Sequence, residues 1–251
     1  MKKTFIRFGA FVIVAAVCIG LTGCININLN GYPRVMGNGQ VVTKEISLPQ
    51  NLAGVRTLTS IDILLDPALK DKAVLEGESN ILDLTEVQTT GDVLTIDYKP
   101  HFIIVGTRPV KLRVPEIGGG LLETSSSGSI SMLGSDTLKG DSFELRSSSS
   151  GSITVAIEAK ELKAVASSSG SIRVTGSAAT GDIVLSSSGS FDGFDCRMQS
   201  ADARLSSSGD AQVYVSGELT GSTSSSGSII YDGNPGNVNV SSSSSGKAVS
   251  R

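Results

Sequence analysis

The chain has 251 residues, with 21 Lys plus Arg against 24 Asp plus Glu, a single histidine, no tryptophan and 29 glycines. A net charge of −3 with no basic cluster and no aromatic stacking set does not suit a nucleic-acid partner. Three cysteines, only one of them beyond residue 24, leave no disulfide framework to stabilise the fold.

Residues 1–23 read as a lipoprotein signal peptide. Lys2, Lys3 and Arg7 precede an apolar run from Phe8 to Leu21. That run, about 14 residues, falls short of the roughly 20 needed to span a bilayer. Leu21-Thr22-Gly23-Cys24 resembles a bacterial lipobox, which implies cleavage before Cys24 and diacylglycerol on its thiol. The expected partner is therefore a membrane, reached through a lipid anchor. Acyl chains contribute roughly 0.8 kcal/mol per buried methylene, so two or three chains hold stably. Losing the signal leaves 18 Lys plus Arg against 24 Asp plus Glu, a net charge of −6. Cys18 leaves with it, and Cys196 reads as a small buried hydrophobe.

Residues 24–40 are Asn- and Gly-rich and read as a lipidated tether. No acidic cluster follows Cys24, and Ile25 does not resemble an inner-membrane retention signal. By that resemblance the expected location is the outer membrane of the cell envelope, with the periplasmic face favoured over the cell surface.

Residues 41–116 form a strand-rich part, with strand-like stretches at 41–48, 54–65, 72–76, 93–98 and 109–114 and one plausible helical turn at 80–86. Turn signals at Leu48-Pro49-Gln50-Asn51, Asp66-Pro67 and Thr90-Gly91-Asp92 punctuate them. The physical purpose inferred is a cap, since the first coil of a solenoid otherwise exposes an unpaired strand edge.

Residues 117–251 carry the organising feature. Ser-Ser-Ser-Gly occurs seven times, with glycines at 128, 151, 170, 189, 209, 227 and 246. A period of about 20 residues is too short for two packed helices and marks a solenoid of strands. Two residues after each glycine stand Ile130, Ile153, Ile172, Phe191, Ala211, Ile229 and Ala248. Six before stand Leu122, Leu145, Ala164, Ile183, Ala203, Gly221 and Val240, each preceded by a mostly polar residue. Period-two alternation at the same place in every repeat predicts strands stacked in register around a shared interior, which is a parallel β-helix. Parallel crossovers are right-handed in about 98% of cases, so the expected class is all-β: a single-stranded right-handed parallel β-helix of about 19–20 residues per coil, with an N-terminal strand-rich cap.

Asn51-Leu52-Ala53-Gly54-Val55, Ile61-Asp62-Ile63-Leu64-Leu65, Asn80-Ile81-Leu82-Asp83-Leu84, Gly91-Asp92-Val93-Leu94-Thr95-Ile96 and Val110-Lys111-Leu112-Arg113-Val114-Pro115-Glu116, leading into Ser-Ser-Ser-Gly-Ser, resemble the putative auto-transporter adhesin, head GIN domain family. The resemblance covers nearly the whole mature chain. It implies a lipoprotein signal, a strand-rich start, a right-handed parallel β-helix and no established catalytic residues. This chain departs in lacking an aromatic near Leu52 and in using Ser-Ser-Ser-Gly where Gly-Ser-Gly turns are frequent.

No catalytic, cofactor or metal residues are expected. His101 lies outside the repeat with no partner motif, and the serines have neither a histidine column nor a Ser-x-x-Lys to activate them. Asp182, Asp202 and Asp210 fall near coil corners, yet no Gly-Gly-x-Gly-x-Asp repeat accompanies them. The expected function is a non-catalytic cell-envelope lipoprotein, adhesin-like or structural. The alternatives are a glycan-binding module and, more distantly, a carbohydrate-active enzyme. Possible partners are accordingly a glycan or another envelope protein.

The serine motif has two readings. As a corner, it uses small residues, with glycine at positive φ and hydroxyls satisfying turn amides. As an extended run, it projects Ser167, Ser169 and Ser171 outward, then Ser186, Ser188 and Ser190 one coil on, in a hydroxyl lattice spaced at about 4.8 Å. The corner is favoured because small residues fill both the middle-serine and glycine columns.

Overall fold

The computed structural model describes Asn26, Ile27 and residues 31–251. The signal peptide and Cys24 lie outside the described residues. Strands dominate, arranged as one 17-stranded sheet wound into a solenoid and one small sheet of three short strands.

Each coil contributes to two walls that meet at a corner. In the first wall Val93–Tyr98, Gly54–Thr57, Gly120–Thr124 and Leu138–Ser147 stack in parallel. The later halves of Ser152–Ala166, Ser171–Leu185, Ser190–Leu205 and Asp210–Thr223 follow, and Asn237–Ser242 ends the stack. In the second wall Lys111–Val114, Asp62–Leu65 and Ser129–Met132 lead into the early halves of the same long strands, then Ser228–Asp232 and Lys247–Ser250.

Register places the apolar columns inside. Val55, Leu122, Leu145, Ala164, Ile183 and Ala203 are stacked partners and wholly buried. Ile63, Ile130, Ile153, Ile172, Phe191, Ala211 and Ile229 do the same on the second wall. Burying each Ile, Leu or Phe contributes roughly 1.5–3 kcal/mol, and the column repeats that gain coil after coil.

Uneven glycine spacing has local causes. Ser131 pairs with Thr154 and Leu138 with Ile157, so the loop between them absorbs the extra residues of the first long interval. Register shifts between Arg173 and Gly176, and again between Gly193 and Arg197, mark a β-bulge around Phe194. A bulge lets one coil lengthen without moving its neighbours' columns.

The coils begin earlier than the serine motif does. Thr57 pairs with Thr124 and Ile63 with Ile130, so Leu58-Thr59-Ser60-Ile61 turns the same corner with a different sequence. The predicted strand at 54–65 is therefore two strands around a corner, Gly54–Thr57 and Asp62–Leu65. The coil made by Val93–Tyr98 and Lys111–Val114 lies outside this one, although it comes later in the chain. Antiparallel strands then flank that end: Thr85–Thr90 pairs with Val93–Tyr98, while Lys72–Glu78 pairs with Lys111–Val114 and in turn with Val41–Ser47.

Two local expectations are corrected. The helix is one turn, Ser79–Leu82, and Thr85–Thr90 is a strand, because its alternating Thr, Val and Thr side chains pair with Val93–Tyr98. The segment read as tether is partly folded. Pro33–Val35 pairs with Ile103–Ile104 on one side and with Asn26–Ile27 on the other, and the period-two run Tyr32-Pro33-Arg34-Val35-Met36 is the local reason.

Candidate functional site: the serine corner

The motif is a corner, but its left-handed residue is not the glycine. Ser126, Ser149, Ser168, Ser187, Ser207, Ser225 and Ser244, the middle serine of every motif, have φ between 53° and 66°. None of the seven motif glycines has positive φ, which corrects the expected assignment. In the coil of Ser167 to Gly170 the turn closes through the Gly170 N–H, which donates to the Ser167 carbonyl at 2.9 Å.

The glycines are required for a different reason. A Cβ on Gly170 would lie 2.4 Å from the carbonyl oxygen of Ser147, and one on Gly189 2.4 Å from that of Ala166. At Gly128, Gly170 and Gly189 the corner rests directly on backbone, whereas at Gly151, Gly209 and Gly227 the atom a Cβ would meet first belongs to a side chain, of Thr124, Leu185 and Thr223.

Where the residue before the motif is hydroxylated and buried, it pins the turn from inside. Thr124 Oγ1 donates to the Gly128 carbonyl at 2.7 Å, Ser147 Oγ to that of Gly151 at 2.7 Å and Thr223 Oγ1 to that of Gly227 at 2.8 Å. Thr57 makes the same bond to Ile61 in the earlier coil. A buried hydroxyl needs such a partner to offset desolvation. In the middle coils Ala166, Leu185 and Leu205 hold this position and are apolar.

Among the serines read as an outward lattice, Ser169, Ser171 and Ser188 are exposed, whereas Ser167, Ser186 and Ser190 are half-buried. The turn swings the middle serines outward in their place, so Ser168 and Ser187 stand exposed beside Ser169 and Ser188. These middle serines were missed by an alternation argument that assumed an extended chain. The available signal was a serine two positions before the glycine in all seven copies: steric permissiveness alone would have put glycine at the left-handed position.

Beside this strip runs a shallow groove of about 400 Å³ over the last coils, lined by Ser186, Ser206, Ser224 and Ser243 together with Thr223 and Arg204. Arg204 bridges two stacked carboxylates, bonding Asp202 at 2.8 Å and also Asp182. Asp182 and Asp202 therefore lie on the wall, in register with each other, rather than at a corner. Asp210 is exposed just after Gly209.

His101 has positive φ and its ring lies 5.2 Å from that of Tyr32. Cys196 is buried in the core, and burial pushes its thiol up to about 11, so it is protonated at neutral pH. Among the described residues no group of three His, Cys, Asp or Glu side chains is placed to hold a metal ion.

Solved structures share the fold. A putative adhesin from Bacteroides fragilis matches with a TM-score of 0.78 at 15% identity, covering 86% of this chain and 99% of its own. A putative lipid binding protein from Parabacteroides distasonis matches at 0.64 and 23% identity, over 87% and 99% of the two chains. A putative adhesin from Parabacteroides merdae matches at 0.59 and 16% identity, over 87% and 99%. No curated protein matches this chain in sequence. The sequence pattern of one family matches residues 51–235, well over half of the chain, and on that match the chain belongs to the putative auto-transporter adhesin, head GIN domain family.

Proposed function

We propose that the protein is a non-catalytic, adhesin-like lipoprotein of the cell envelope, held in the outer membrane by acyl chains on Cys24 and facing the periplasm. The observation that carries this reading is polar placement. The segment leading from Cys24 joins the small sheet at the first-coil end, through Ile103–Ile104, while the serine corners extend away from it to Lys247–Ser250. Eight strand spacings in the first wall make a stalk of about 40 Å. The adhesin name of the family and of the fold neighbours supports envelope association.

A second reading gives the stalk its ligand: a glycan lying along the serine corners. The groove beside the corners favours it, since its walls offer hydroxyls at coil spacing and one guanidinium. Sugars present hydroxyls that pair with such a surface without any reacting group.

Detergent partitioning tests the anchor. The wild-type chain is expected in the detergent phase of Triton X-114 and Cys24→Ala in the aqueous phase or unprocessed. Equal partitioning of the two would remove the anchor from this account.

A further inference from the structure

Of the nine large apolar side chains left exposed among the described residues, five belong to one end of the molecule: Tyr32, Met36, Val41, Val42 and Phe102. Three of them are set by the small sheet. Along 32–36 the chain alternates, with Pro33 and Val35 half-buried and Val35 packed on the core, while Tyr32, Arg34 and Met36 point outward. Tyr32 is 43% and Met36 58% exposed. The neighbouring strand repeats the pattern, because Arg34 is level with Ile103 and Val35 with Ile104, and it is Ile104 that packs on the core. Ile103 therefore shares the outer face with Arg34, and His101 stands against Tyr32. Phe102, next to Ile103 in the chain, is 40% exposed.

The sheet is fixed to the solenoid by a buried carboxylate. Glu78 accepts hydrogen bonds from the Gly39 N–H, from Thr107 Oγ1 at 2.6 Å and from the Arg108 N–H at 2.9 Å. A Cβ on Gly37 would overlap that carboxylate, so a side chain there would have to push Glu78 away from these partners. The outer face is thus held in one orientation.

We propose that this face docks on the bilayer, resting in the boundary between headgroups and acyl chains of the leaflet that holds the anchor. The inference rests on the lipid-anchor reading of Cys24. Its occupant follows from chain length: Asn26 pairs with Arg34, and Cys24 lies two positions before Asn26, with Ile25 alone between them. Two extended residues reach about 7 Å at most, so acyl chains on Cys24 enter the membrane beside this sheet. The composition suits that boundary. Tyrosine places its ring among the acyl ends of the headgroups with its hydroxyl in water, methionine and isoleucine bury apolar area, and arginine lays its stem along the surface while its guanidinium meets lipid phosphates. The solenoid then stands off the membrane in a fixed pose, with its last coil farthest from it.

The chain contains no tryptophan, so one substitution supplies a unique reporter. Tyr32→Trp and Val249→Trp are each prepared as the acylated chain in vesicles of phosphatidylethanolamine and phosphatidylglycerol, with plain or brominated acyl chains. Brominated lipid is expected to quench the Tyr32→Trp protein by roughly twofold or more and to leave the Val249→Trp protein unchanged. Equal response of the two proteins while both float with the vesicles would overturn docking and leave the anchor standing. Failure of the wild-type chain to float would overturn the anchor, and docking with it.

Discussion

The Ser169 backbone N–H donates to the Ser149 carbonyl one coil below at 2.8 Å, so the inter-strand ladder runs through the corner instead of stopping at it. Ser188 repeats the bond to Ser168, and Ser208 to Ser187. Stacking at that closeness leaves no room for a side chain at Gly170 or Gly189, and the middle serine stands in a left-handed conformation that costs roughly 1–2 kcal/mol relative to the right-handed one.

Substitution at the two positions should therefore have opposite outcomes. Gly170→Ala places a Cβ 2.4 Å from the Ser147 carbonyl oxygen and is expected to destabilise by about 1–3 kcal/mol. Ser168→Gly relieves the left-handed residue and is expected to leave stability unchanged or raise it by up to about 1 kcal/mol. Calorimetric melting of both variants checks this, and a lower Tm for Ser168→Gly than for Gly170→Ala would sink the corner assignment.

The buried column is the next test. Ile172 is wholly buried between Ile153 and Phe191, whereas Ser171 beside it is exposed. Ile172→Asp is expected to cost several kcal/mol, about the price of an unpaired carboxylate in an apolar interior, and Ser171→Asp less than about 0.5 kcal/mol. Urea denaturation midpoints that coincide for the two variants would contradict the register.

Glu78 makes the N-terminal attachment sensitive to acid. The Thr107 hydroxyl, with the Arg108 and Gly39 N–H groups, holds its carboxyl below the ordinary value of 4.5 despite opposing desolvation. A lowered folded-state pKa means that the stabilisation is complete above the unfolded pKa and fades as pH falls through the folded one. The stability gap between wild type and Glu78→Gln should be largest near about pH 6 and shrink toward about pH 3. A gap that widens on acidification would show that the carboxylate is not the form that holds the loop.

Arg204 separates two carboxylates that the register stacks. With Arg204→Ala, Asp182 and Asp202 face each other unbridged, and because the group is on the surface the loss should be at most about 1 kcal/mol and should fall with added salt. A loss independent of salt would point to packing of the arginine stem instead.

The solenoid was legible in the sequence because burial in a strand is periodic: Ile130, Ile153 and Ile172 recur at one place in the repeat, and only an inward wall explains that. The corner was legible in its location but not in its dihedrals. Permissiveness singled out glycine, while the structure assigns glycine to a close approach and leaves the left-handed residue to Ser168. The earlier coil at Thr57 to Ile63 was hidden because its corner, Leu58-Thr59-Ser60-Ile61, has no glycine to announce it. The order of the first two coils was beyond local reasoning, since a pairing between Gly54 and Val93 depends on which strand the chain returns to. The small sheet at Pro33–Val35 went unread because Asn and Gly just before it suggested a tether, although Tyr32 to Met36 alternates.

Loss of displayed hydroxyls without loss of fold tests most directly whether the stalk works through its serine strip. The wild-type chain and a triple variant, Ser168→Gly with Ser187→Gly and Ser207→Gly, are applied to a glycan array at equal concentration while released sugar is assayed. The account predicts retention of the wild-type chain on hydroxyl-rich glycans with no sugar released, and weakened retention of the triple variant at an unchanged or higher Tm. Equal retention of both chains or no retention of either would contradict the glycan reading of the strip, and release of sugar by the wild-type chain would contradict a non-catalytic stalk.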